Sequence, residues 1–188
     1  MDLSNVFSFL TSLSQSEFDS LWNSYNLSTE EIGLMHTSNN LWFDTVEKGY
    51  VNLMKLLIYI GANVNIQSNL GGTALHYACY HGHKDCVELL IKASANINVQ
   101  DNNGITALKL ANLNGHKDCV ELLIKAGANV NIQSNGGWTA LHLACYHSHK
   151  NCIELLIKAG ANVNIQSNIG NTALHTNVVW YKDRLNLG

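Results

Sequence analysis

Nine histidines and five cysteines in 188 residues suggest two chemistries, metal ligation and thiol catalysis. His81, His83, His116, His147 and His149 lie in turn segments close to Cys79, Cys86, Cys119, Cys145 and Cys152. A zinc site draws on paired ligands at short, fixed spacings. A thiol enzyme needs one cysteine and one histidine converging in a pocket. Neither pattern is met, because the spacings fit no paired motif and every Cys–His neighbourhood is a copy of another. Cys86, Cys119 and Cys152 recur at 33-residue intervals inside apolar helical stripes. Such positions suit buried, reduced thiols. The expectation is a non-enzymatic chain with no metal, no cofactor and no catalytic residue.

The recurrence that weakens those chemistries is itself the main signal. Thr-Ala-Leu-His begins at Thr73, returns as Thr-Ala-Leu-Lys at Thr106, and appears again at Thr139 and Thr172. HKDCVELLIKA runs from His83 and from His116, and becomes HKNCIELLIKA from His149. GANVN starts at Gly61, Gly127 and Gly160, with SANIN from Ser94 in the missing slot. Within one period, Thr73 is a good N-cap, and Leu75, Ala78 and Cys79 form a narrow apolar face that Gly82 ends. The next helix puts Cys86, Val87, Leu90 and Ile91 on one side, with Lys92 in its last turn. Glycine after that helix and a polar, Asn-rich stretch read as a turn and a hairpin. Two helices this short bury both faces only by stacking on neighbours.

This unit, G-x-T-A-L-H…A…G-H…LL…G-A-N-V-N, resembles the ankyrin repeat over roughly residues 39 to 188. One departure is systematic. Ala74, Ala107, Ala140 and Ala173 stand where the family usually has Pro, and the chain has no Pro. Alanine is a good helix former, so the fold should survive. The resemblance implies an all-α solenoid of helix-turn-helix-hairpin units of 33 residues with a short N-terminal helical extension. The divisions are 1–38 (extension or cap), 39–67 (degenerate first repeat, with Gly49 in its turn), 68–100, 101–133, 134–166, and 167–188 (partial repeat or cap). In the extension, Val6, Phe9, Leu10 and Leu13, then Phe18, Leu21, Trp22 and Tyr25, are helically spaced. Val178, Val179, Trp180 and Leu185 are available to cover the far edge. The resemblance also implies that His76, His142 and His175 are structural hydrogen-bonding residues near the hairpin. Lys109 takes their place in one unit, and Asn112 takes the inward position held by Cys79 and Cys145.

Charge narrows the partner. Residues 1–47 hold seven acids and no Lys or Arg, and the remainder holds eleven bases against seven acids. That excess is too diffuse for a nucleic-acid stripe. No apolar run reaches the roughly 18 residues that span a bilayer, and no Lys or Arg precedes Lys48 to start a secretory signal. The chain therefore reads as cytoplasmic, or as residing in a host cytosol if it is a secreted microbial effector. By resemblance, another protein docks on hairpin tips and first-helix surfaces. In register these are Leu70, Tyr80 and His81, then Ile105, Leu113 and Asn114, then Trp138, Tyr146 and His147, and finally Ile169 and Trp180. They vary while the scaffold is copied, and Tyr and Trp most often carry binding energy. Two alternatives stay open: a structural protein that self-associates as a weak homo-oligomer rather than a monomer, and an adaptor whose residues 1–38 recruit a second partner.

Overall fold

A computed structural model describes residues 39–59 and 61–176, together with Ser16 in a helix. The extension over 1–38 and the C-terminal cover, including Trp180, lie outside the described residues.

Among the described residues, eight helices come in pairs: α1 Asn39–Glu47 and α2 Val51–Tyr59, α3 Ala74–His81 and α4 Lys84–Lys92, α5 Ala107–Leu113 and α6 Lys117–Lys125, α7 Ala140–Tyr146 and α8 Lys150–Lys158. A further helical stretch opens at Ala173. The first helices (α1, α3, α5, α7) pack in one row and the second helices (α2, α4, α6, α8) in another, with closer packing along the first row. The core runs continuously between the rows. It holds Leu75, Ala78, Cys86, Val87 and Leu90 of one pair, with Cys79, and Leu108, Ala111, Cys119, Val120 and Leu123 of the next. Cys79, Cys86, Cys119 and Cys152 are buried as expected, whereas Cys145 is half-buried; no two of the five form a disulfide. Burial pushes the Cys86 thiol up to about 12 and Cys119 to about 11.

Each hairpin is the same hydrogen-bonded turn. Ser68 N–H donates to Gly72 O and Gly71 N–H to Ser68 O, and the pattern recurs from Asp101, Ser134 and Ser167. Neutral amides then stitch each hairpin to the one before. Asn102, Asn135 and Asn168 each donate from the backbone N–H and from Nδ2 to carbonyls of the preceding tip. Gln100 and Gln133 reach forward to Gln133 O and Gln166 O at 3.0 and 3.1 Å. Asn65, Asn98 and Asn131 accept the backbone N–H of Asn96, Asn129 and Asn162, each at 2.8 Å. The abundance of Asn has a structural use at these positions.

Histidines repeat the same logic on the helix side. His83, His116 and His149 donate Nε2–H to Glu47 O, Tyr80 O and Leu113 O, at the C-terminal ends of the preceding units' first helices. Those rings pack so closely that a Cβ on Gly82 would lie 2.5 Å from His116 Nδ1. Gly82 also has φ +75°, so glycine is required there twice over.

Candidate functional site

The surface that could hold a partner is the face formed by the first-helix row and the hairpin tips. Helix initiation fixes that face. Thr73 and Thr139 are N-caps whose backbone N–H donates to Nδ1 of His76 and His142, at 3.1 and 3.2 Å. With Nδ1 accepting, each ring is the Nε2–H tautomer, and it donates to a carbonyl of the next hairpin: Ile105 O for His76 and Asn171 O for His142, both at 3.0 Å. Burial holds both imidazoles below the usual histidine range, so they stay neutral. One side chain thus caps its own helix and ties down the next tip.

Lys109 cannot do this. It is 1% exposed, and its Nζ donates to Gly104 O of its own hairpin at 2.8 Å. Burial pulls it down to about 8. Asn112, wholly buried, donates Nδ2 to Leu108 O at 2.7 Å, and its Oδ1 has no hydrogen-bond partner. The inward amide is half satisfied.

The residues expected to meet a partner fall into two clusters. Leu70 is 71% exposed and Tyr80 48% exposed. With His81 they border a groove of about 360 Å³ whose walls also include Tyr77, Leu110 and Glu47. Tyr77 and Leu110 escaped the sequence reading. They lie three residues before Tyr80 and Leu113, on the same helical face, and that spacing was the available signal. A second cavity of about 420 Å³ continues from Leu70 and Tyr77 to Phe43 and Asp44. Phe43 and Tyr77 are in ring contact at 5.0 Å.

The other cluster is aromatic. Trp138 and Tyr146 meet edge to face at 5.7 Å, Trp138 touches His142 at 5.8 Å, and His147 lies 5.0 Å beyond Tyr146. Trp138 and Tyr146 are half-buried by this mutual packing rather than fully exposed. Leu113 and Ile105 are half-buried as well, and Ile105 O is the acceptor for His76. Asn114 is exposed, but its Nδ2 donates to Tyr80 O at 2.9 Å, so its amide serves the array. Ile169, 75% exposed, sits on the last described tip.

Among the described residues, no three His, Cys, Asp or Glu side chains are placed to share a metal ion, and no helix is long and apolar enough to cross a membrane. A family model described as ankyrin repeats in three copies matches residues 42–134 and again 127–183. A search of curated proteins returns no match.

Proposed function

The chain belongs to the ankyrin-repeat family, whose repeats generally mediate protein–protein interaction, and we infer from this that it is a non-catalytic module holding a partner protein on its first-helix and hairpin-tip face. The observation that supports this reading most directly is the exposure of Leu70, Tyr80 and Ile169 on one face, beside the Trp138–Tyr146 pair. Large apolar side chains left in water at positions that vary while the scaffold is copied serve no stacking purpose, and aromatic groups are where interfaces concentrate affinity. Five cysteines with no disulfide among them support a reducing, cytoplasmic setting. The test is titration calorimetry with the captured partner. Trp138→Ala with Tyr146→Ala should weaken binding at least about tenfold, as expected for a truncated aromatic anchor. Glu121→Ala, on the second-helix face, should leave it unchanged. The reverse outcome moves the site to the second-helix row.

One observation favours a second reading. Leu174 is 74% exposed, whereas its counterparts Leu75, Leu108 and Leu141 are 1–3% exposed. In the last described unit this one core position faces outward while Ala173 stays 3% exposed, and a second copy of the chain would cover it. Light scattering over a range of concentrations separates a monomer from such an end-to-end assembly.

A further inference from the structure

We propose that the groove between the first two described units takes an extended basic segment of the partner, with an Arg or Lys beside an apolar side chain. This rests on the assignment of the binding face above. The argument comes from how charge is divided between the two faces. On the second-helix row, carboxylates have lysines beside them: Glu88 with Lys92 at 3.0 Å, Glu121 with Lys125 at 2.8 Å, and Asp118 with Lys84 at 3.7 Å. The two grooves on the first-helix side are lined by Asp44, Glu47 and Asp101 and by no Lys or Arg. Lys109, next to Leu110 of the groove wall, is buried and turned to Gly104 O, and Lys48, next to Glu47, lies over the Tyr50 ring. Asp101 uses Oδ1 to hold the N–H groups of Asn103 and Ile105, and its charge stays on the groove wall.

The apolar lining completes the match. Phe43, Tyr77 and Tyr80 line these grooves with the carboxylates, and exposed Leu70 borders both. A guanidinium stacks on such rings while pairing with a carboxylate, and an adjacent apolar side chain has Leu70 and Leu110 to bury against. Charge of one sign along a groove steers and orients a segment of the opposite sign. Residues 1–38 of this chain are a poor occupant, since they carry five acids and no Lys or Arg.

The probe is a displayed library of random heptapeptides selected against the full chain. The best peptides are then synthesised with a fluorophore and titrated by anisotropy. Enrichment of sequences with Arg or Lys next to Leu, Ile or an aromatic residue is expected. Their affinity should fall about tenfold or more in the Asp44→Asn/Glu47→Gln double variant, and with rising salt. Both side chains are exposed, so the variant should keep the native circular dichroism and denaturation midpoint. Tyr80→Ala should also weaken binding, and Glu121→Ala should not. Enrichment of acidic or uncharged peptides, no enrichment at all, or a double variant that binds as tightly as the parent overturns the inference. If Tyr80→Ala still weakens binding in that event, the binding face stands and only the charge argument fails. If Glu121→Ala alone weakens it, both fail.

Discussion

Unit 101–133 sits between two units built from almost the same letters, yet it is held differently. In 68–100 and 134–166 a buried, neutral histidine caps its own helix and donates across to the next hairpin. In 101–133 Thr106 Oγ1 still caps the helix, but a buried lysine bonds to its own hairpin, so neither the side-chain bond back to the Thr N–H nor the histidine link across exists, and Asn112 leaves a buried oxygen unpaired. The same backbone tolerates both arrangements because the helix rows and the amide ladder are unchanged around them. Side-chain identity at one position therefore sets how firmly a unit is tied to its successor, while the period sets the shape.

The comparison breaks most severely at His142. Truncation to Ala leaves the Thr139 N–H without its acceptor and removes the link to the Asn171 carbonyl, which keeps only the Ser167 N–H, and should cost about 3 kcal/mol. Lys109→Ala, removing a group with no such double role, should cost less than about 1 kcal/mol. Urea denaturation midpoints decide this, and equal losses would erase the distinction between the units.

Lys109→His is the sharpening experiment. It should restore the bond back to the Thr N–H and the link across, and raise stability by about 2 kcal/mol at neutral pH. The pH dependence gives an independent sign. Lys109 is pulled down to about 8 from 10.5 by burial, so between these values the unfolded chain holds the extra proton. Stability of the parent relative to the histidine variant should then rise as pH climbs from about 8 toward 10.5. A flat difference across that window would mean that the ammonium is not desolvated.

Asn112→Cys makes the inward position like those of Cys79 and Cys145. Removing a half-satisfied buried amide should stabilise the array by about 1 kcal/mol. A lowered midpoint would show that a water completes the amide. Weakened partner binding at unchanged stability would instead give Asn112 a ligand role.

The smallest expected effect lies at Ser94. It holds φ +62° where Gly61, Gly127 and Gly160 stand in other units. A Cβ at Gly127 or Gly160 would meet nothing within 4 Å, so the backbone conformation alone carries the penalty. Ser94→Gly should gain on the order of 1 kcal/mol or less, read from the same denaturation curves.

Much of this fold was legible because the period repeats every local signal several times. The caps at Thr73, Thr106 and Thr139, the turn at Gly82 and the stripe through Cys86 and Leu90 are all local. Contacts between units were harder to read. His83 to Glu47 and Gln100 to Gln133 are separated by about one period, and only a stacked geometry brings them together. Asn114 illustrates the consequence for the site: it varies like a contact residue, but its amide faces the neighbouring unit. The burial of Lys109 was illegible for another reason, since a lysine in sequence gives no sign that its ammonium has found a carbonyl.

The amide ladder also bears on how such a chain can change length over generations. Its bonds join equivalent positions in successive units, Asn102 to Asn69 and Asn135 to Asn102, so each unit offers behind it what it requires ahead. A duplicated copy of 134–166 placed after its original would meet familiar acceptors on one side and familiar donors on the other. Gain or loss of a whole period leaves no amide stranded, whereas a shift of a single residue strands them all. Gene duplication in steps of one repeat is thus the one kind of insertion this ladder accepts without repair.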